Sequence, residues 1–343
     1  MLSLGEREES FAQDGVRYEV IERRSANLAK SLPNFWGYNG QLCMQAVSVW
    51  LACDLYSLPL AARASRKTAS VLLFDSREYY PYIASLTDRP FRRWFWRGVE
   101  WKYGRGAGAV FTVNHSIAER LRARYPGKPV VVVGNYPDAD EIVPDQNFRR
   151  RLHIPSGHIL LLSQGGVQRG RGGALSVRAL RRLENCTLVF LGSGNEESRL
   201  RSLAERCGVQ DRVRFHPAVP SKELLSLTAA ADIGLCIIEH VGESYSLALP
   251  NKLFEYFAAG LPVIASDGPE IARVVRETSA GLLIRPDDEE GFIAACKSLI
   301  ENETLRAAFA ARAREASYRF RWKSEGERLL NVVREAVDSL TAR

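Results

Sequence analysis

From residue 158 onward the chain alternates between short apolar runs and helical stretches, and this alternation constrains its fold more than any other feature. The runs 158–162, 187–191, 213–215, 232–236, 262–265 and 281–284 are β-rich, and helical spacing covers 173–182, 196–207, 221–230, 251–259, 270–277 and 289–301. Apolar runs of strand length separated by amphipathic helices build parallel strands joined by right-handed crossovers. Six such units make a complete doubly wound α/β domain.

The first half repeats the pattern less regularly, with strand-like runs at 16–21, 46–53, 70–74, 109–113 and 129–133 and helical spacing at 58–66, 91–103 and 116–124. Residues 136–148, rich in Pro and Asp and without periodicity, read as the linker. At roughly 100–200 residues per domain, 343 residues suggest two domains, with boundaries expected at 1–145 and 146–316. A last helix, 326–340 within the segment 317–343, carries Leu329, Val333, Ala336, Val337 and Leu340 on one stripe and must dock on something. Two open sheets in tandem suggest a cleft between their carboxyl edges, the place where such sheets bind ligands.

No apolar run approaches the ~18 residues of a membrane-spanning helix, and the polar start from Gly5 to Gly15 lacks a secretion signal's apolar core. The expectation is a cytoplasmic chain, at most peripheral on the inner face of the membrane. Cys43, Cys53, Cys186, Cys207, Cys236 and Cys296 include no C-x-x-C pair and read as buried small hydrophobes rather than a disulfide or metal framework. The net charge of +7 is concentrated: between Arg89 and Lys128 ten Lys and Arg face two Glu, and the remainder is nearly neutral.

Two segments in the second half suit an anion. Ser163 to Gly173 (SQGGVQRGRGG) follows a buried strand and precedes a helix, so its five glycines allow close backbone approach to a phosphate at the helix start. Arg169 and Arg171 add fixed charge there, although the segment is neither a Walker loop nor a G-x-G-x-x-G fingerprint. In Leu247 to Asp267, Pro250 suits the first helical position, which puts Asn251 and Lys252 in the first turn, where free backbone N–H groups attract an anion. Asn251 and Glu255 share a stripe at i, i+4, so a diphosphate near Asn251 and Lys252, with ribose hydroxyls on Glu255, fits a nucleotide sugar.

Pro250-Asn251-Lys252-Leu253-Phe254-Glu255-Tyr256, followed by Ala259-Gly260-Leu261-Pro262-Val263-Ile264, closely resembles the nucleotide-sugar signature of family-4 retaining glycosyltransferases. Leu188 to Gly194, Ala231 to Gly234 and Ser279 to Asp288 resemble that family too, in the expected order. The resemblance implies the GT-B fold: two Rossmann-like domains facing across a cleft, with the C-terminal helix packing back on the N-terminal domain. It also implies retaining, metal-independent transfer of a sugar, hexosyltransferase in type, from a nucleoside diphosphate co-substrate with no cofactor. Carried over, Glu255 matches the glutamate that binds the ribose, and Arg171-Gly172 matches the basic residue and glycine that stabilise the leaving diphosphate. Arg171, Lys252 and Glu255 are thus the expected catalytic groups, with Gly165, Gly166, Arg169, Gly172 and Asn251 completing the donor set. The sequence departs from the pattern at Leu247, where the first glutamate of an E-x7-E pair belongs, and at Gly166, where an arginine often stands.

On the acceptor side, Asp75, Arg77 and Glu78 in FDSREYYPY occupy the place of the family's Asp-x-His-Glu sequence, and His115 lies at another strand's carboxyl end. Glycan, lipid-linked and secondary-metabolite acceptors all remain open, as do two rival readings: a non-catalytic partner subunit and a nucleotide-sugar epimerase on the same fold. From Arg89 to Arg105, tryptophans, Phe95 and Tyr103 interleave with basic residues, a composition suited to an anionic membrane surface, to a packed inter-domain helix or, without an accompanying module, least well to nucleic acid. The family normally opens with a β-loop-α-β unit. Met1 to Gly15 instead reads as the connection after it, which suggests a shortened amino terminus.

Overall fold

The computed structural model describes residues 2–5, 9–13, 16–22, 28–38, 47–83, 86, 88–138 and 142–341. The expectations for Met1, Gly15, Cys43 and linker residues 139–141 lie outside the described residues. The chain divides into two compact units, Met1–Val133 with Glu327–Arg343, and Gly134–Gly326.

The first unit begins with β1 (Leu2–Gly5), β2 (Glu9–Gln13) and β3 (Val16–Glu22), followed by α1 (Leu28–Gly37). The strands form their own three-stranded sheet, β3 pairing parallel with β1 and antiparallel with β2. Among the described residues the polar start thus contributes strands at 2–5 and 9–13, and the run 16–21 pairs with them rather than joining the main sheet as expected. The missed signal is local, since Gln13 pairs with Val16 and the residues between them in the sequence are Asp14-Gly15, a dipeptide favoured in two-residue hairpin loops.

The main sheet of this unit is parallel, in the order β4 (Val49–Cys53), β5 (Val71–Ser76), β6 (Ala109–Thr112) and β7 (Val130–Val132). Helices α2 (Asp54–Thr68), α3 (Pro90–Gly104) and α4 (His115–Arg124) connect these strands. On α3, buried Glu100 pairs with Arg124 at 2.7 Å, fixing that helix against α4.

The second unit runs from α5 (Phe148–Arg151) and β8 (Ile159–Gln164) through α6 (Gly173–Ala179), β9 (Cys186–Leu191), α7 (Glu197–Arg206), β10 (Val213–His216) and α8 (Ser221–Thr228) to β11 (Ile233–Cys236). It continues with α9 (Glu243–Ser246), α10 (Asn251–Ala258), β12 (Val263–Ser266), α11 (Pro269–Thr278), β13 (Gly281–Ile284), α12 (Glu289–Glu301) and α13 (Glu303–Ser317). Its six parallel strands stand in the order β10-β9-β8-β11-β12-β13. Both sheet faces are buried: Leu161, Leu188 and Phe190 join one core and Leu160, Leu162 and Val189 the other. Alternate residues of one strand therefore enter different cores, which explains why these strands read as nearly continuous apolar runs.

The final helix, α14 (Trp322–Thr341), begins four residues before the expected start, and its Leu329, Val332, Val333 and Ala336 pack on Leu73, Ala109 and Phe111 of the first unit's sheet. The expected return of the last helix to the N-terminal sheet is thus present. The compact units divide at Val133, ahead of the expected residue 145, because the Tyr136 ring packs obliquely against Phe254 and edge-on against Phe320 and Asp145 N–H donates to Ser226 O, holding this stretch on the second unit.

Strand order reverses between β8 and β11, and one side chain bridges the reversal. Tyr256 of α10 accepts a hydrogen bond from Gln164 N–H at 3.1 Å and donates to Leu162 O at 3.0 Å. Its ring lies over Gly234 of β11, where a Cβ would sit 2.5 Å from ring carbons. Tyr256→Phe leaves the buried Gln164 N–H unpaired, so we expect a loss of about 1–3 kcal/mol. Thermal unfolding checks this, and an unchanged midpoint would contradict the bridge.

Candidate active site

In open α/β sheets, ligands bind at the carboxyl edge where strand order reverses. Here that edge is Gln164 of β8 beside Cys236 of β11, with the glycine-rich loop 165–172 above one strand and the start of α10 above the other. Within this edge, Gln164 is held by Thr228, which donates to its side-chain oxygen at 2.8 Å, and its amide in turn donates to Glu255 Oε2. The relay from Thr228 through Gln164 fixes one oxygen of Glu255. Burial raises the Glu255 carboxyl above its ordinary value, against the opposing effects of the Gln164 hydrogen bond and Lys252.

Lys252, one turn before Glu255, is buried. Desolvation pushes its ammonium down to about 8, and the nearby Arg171 guanidinium works in the same direction, while Cys236 and Glu255 oppose it. Arg171 lies over the Tyr245 ring, 5.3 Å from its centroid, and its Nε is buried with no hydrogen-bond partner among the described residues. A buried ammonium and a half-buried guanidinium thus lie near each other, with the Glu255 carboxylate beside Lys252. An anion placed here would gain both and relieve the desolvation of Lys252.

The loop that carries Arg171 is shaped by its glycines. Gly172 has φ +74°, and a Cβ there would sit 2.4 Å from Ile237 Cβ. Gly172 N–H donates to Glu239 Oε1 at 3.3 Å, and Glu239 N–H donates to Gly170 O at 2.9 Å, so Glu239 straps the loop down. Gly165, Gly166, Arg169 and Asn251 are exposed. Arg169 and Gly170 line a neighbouring cavity of about 600 Å³ together with Glu196, Glu239 and Asp287, a cavity that does not include Arg171, Lys252 or Glu255.

The expected set therefore separates: Arg171, Lys252 and Glu255 come together, whereas Arg169 faces a different recess. Sequence reading missed Gln164, Thr228, Glu239 and Cys236. Only Gln164 left a trace, as a polar residue closing the apolar run ILLLSQ directly before Gly165. Cys236, Cys186 and Cys296 are buried, as the sequence suggested, but Cys53 is exposed because it ends β4 at the carboxyl edge.

In the first unit, Cys53 and Asp75 are register partners at the ends of β4 and β5. Arg77 Nε donates to Asp75 at 2.9 Å, and burial raises the carboxyls of Asp75 and Asp54 while Arg77 pulls both down. Asp54, unnoticed in the sequence, has φ +66°, a left-handed conformation that costs a non-glycine residue about 1 kcal/mol or more. Glu78 and His115 are exposed, and Asn114 rather than His115 caps α4, accepting from Ile117 N–H.

A model of the family "Glycosyl transferases group 1" matches residues 144–316, half of the chain and the part that contains Gln164, Arg171, Lys252 and Glu255. The chain belongs to this family. A D-inositol 3-phosphate glycosyltransferase of Xylanimonas cellulosilytica is 34% identical over 201 residues, covering 57% of this chain and 47% of that protein. The chain spans about half the length of the curated relatives it matches. Among solved structures, sucrose-phosphate synthase from Thermosynechococcus elongatus superposes with a TM-score of 0.79 at 17% identity, covering 96% of this chain and 86% of that one. Anabaena HepE in complex with UDP-glucose gives 0.71 at 16% identity, covering 96% and 87%. This group 1 glycosyl transferase thus has the GT-B-type fold of two parallel-sheet units that the resemblance implied.

Because Lys252 loses its proton near pH 8, affinity for inorganic pyrophosphate or a nucleoside diphosphate should fall as the pH rises through 8. Stability of the free protein should move the opposite way. A lysine depressed from 10.5 to about 8 binds fewer protons folded than unfolded in that window, so its contribution to stability rises with pH there. Calorimetric titrations and melting curves of the wild type and Lys252→Met at pH 7 and 9 check both signs. Equal pH slopes in the two proteins would contradict the assignment.

Proposed function

We propose that this protein is a retaining glycosyltransferase that moves a sugar from a nucleoside diphosphate donor to a glycan or lipid-linked acceptor without a bound metal. The observation that carries the reading is the juxtaposition of buried Lys252, the Nε of Arg171, which has no hydrogen-bond partner among the described residues, and the hydrogen-bonded Glu255 at the point of strand reversal. Relatives described as a D-inositol 3-phosphate glycosyltransferase and as a complex with UDP-glucose support a nucleotide-sugar donor.

In this reading Arg171 and Lys252 neutralise the diphosphate, most strongly as its charge grows on departure, which is the preorganised stabilisation that lowers the barrier. Glu255, oriented by Gln164, accepts from the ribose hydroxyls. Gly165, Gly166 and Gly172 let the backbone approach, and Arg169 and Asn251 act at the exposed margin. The bond from the anomeric carbon to the diphosphate oxygen breaks with its electron pair staying on the diphosphate. The acceptor oxygen bonds to the same face of that carbon, and its proton passes to the departing phosphate oxygen, so no separate base is required. We assign acceptor binding to Asp75 and Arg77 with Asp54, whose strained backbone at a sheet edge suits a functional position, and to Glu78 and His115 at its exposed border.

A thermal-shift panel of UDP-, GDP-, dTDP- and ADP-sugars identifies the donor, since a ligand that binds only the folded state at 100 times its Kd adds about 2.7 kcal/mol. We expect one donor to raise the midpoint, and Glu255→Ala or Arg171→Ala to weaken its binding at least tenfold. Turnover should persist in EDTA. The protein binding none of these nucleotides, or Glu255→Ala turning over donor normally, would sink the proposal. An epimerised donor appearing without acceptor would favour the epimerase reading, and activity appearing only with a co-purified partner would favour the subunit reading.

A further inference from the structure

Helix α3 has two apolar faces, and the fold uses one of them. Trp96 and Val99 turn inward with the ion-paired Glu100, and Trp96 packs edge-on against Tyr56 and Tyr80. At about 100° per residue, positions 91, 94, 98, 101 and 105 run along the opposite side, flanked by 95 and 102. There Phe91 is 87% exposed, Trp94 77%, Trp101 56% and Phe95 47%. Large aromatics left in water along one stripe mark an interaction surface.

The charge around that stripe identifies the partner. Arg105 lies on it, stacked 4.8 Å from the Trp101 ring centroid, with exposed Lys102 on one flank and exposed Arg97 on the other. Among the described residues none of these cations is in an ion pair. Beside the helix a pocket of about 360 Å³ is walled by Trp36, Tyr56, Tyr80 and Trp96 and edged by exposed Arg89 and Arg92, placing guanidinium groups over an apolar wall. Tryptophan at a polar-apolar boundary with arginines alongside is the chemistry of an interfacial helix on anionic lipid.

We infer that α3 docks this protein on an anionic phospholipid surface, its aromatic stripe entering the interface and the cations beside it meeting lipid phosphates. This rests on observations separate from the donor site and stands or falls independently of the transfer reaction. Co-sedimentation of the full chain with phosphatidylcholine vesicles containing a quarter phosphatidylglycerol tests it. The protein should bind these vesicles at least tenfold more tightly than pure phosphatidylcholine ones, and high salt should weaken binding. Phe91→Ser/Trp94→Ser/Trp101→Ser, all at exposed positions and checked for an unchanged melting midpoint, should lose at least tenfold, as should Lys102→Glu/Arg105→Glu. No binding to the anionic vesicles, equal binding to both vesicle types, or full binding by the triple variant overturns the inference. Binding of a DNA oligonucleotide without vesicle binding overturns it in favour of nucleic acid.

Discussion

The second unit is organised around one hydroxyl. Tyr256 reaches across Gly234 and pairs with the end of β8, at the Leu162 carbonyl and the Gln164 amide. That single contact fixes α10 against the two strands between which the sheet reverses. It also sets the height at which Lys252 and Glu255, on the same helix, meet Gln164 and Arg171. Without the close approach that a glycine at 234 permits, the ring would be displaced and the helix with it. Packing and chemistry are therefore one problem here, since the core residue that closes the sheet is the neighbour of the residues that carry charge.

The electrostatics follow from that placement. Burying a lysine beside an arginine costs stability, and the fold offsets little of it, because the Glu255 carboxylate beside Lys252 is itself partly desolvated and already occupied by Gln164. Such an arrangement is poor as a structural ion pair and well suited to a multiply charged anion, which would be held before reaction and held harder as its charge grows. The first unit shows a comparable local cost in the left-handed Asp54 next to Asp75 and Arg77. Strain and desolvation thus both collect at carboxyl edges of parallel sheets, where these folds bind their ligands.

Much of the second unit was legible in the sequence because both faces of its sheet are buried. Nearly continuous apolar strands such as ILLLSQ and CTLVFL then stand out, and glycines and prolines punctuate the helices between them. Arg171, Lys252 and Glu255 were found because a short motif carries two of them and a glycine-rich turn the third. Gln164, Thr228 and Glu239 were not, because their importance comes from contacts 64 to 91 residues away in the chain or across a loop, which no local pattern encodes. The first unit was harder for a different reason. Its opening strands pair with one another in a separate small sheet, so they lack the apolar runs of a doubly buried strand. In the second unit α13 hid in an alternation of alanine and arginine whose buried stripe is Phe309, Ala313 and Ala316.

The proposed seat of a diphosphate between Arg171 and Lys252 is measured directly by a crystal structure with the nucleoside diphosphate that raises the melting midpoint. Phosphate oxygens should lie within hydrogen-bond distance of Arg171 and Lys252 and ribose hydroxyls on Glu255, with the Tyr256 bridge undisturbed. A nucleotide seated instead in the neighbouring recess lined by Arg169, Glu239 and Asp287, with Arg171 and Lys252 untouched, would contradict it.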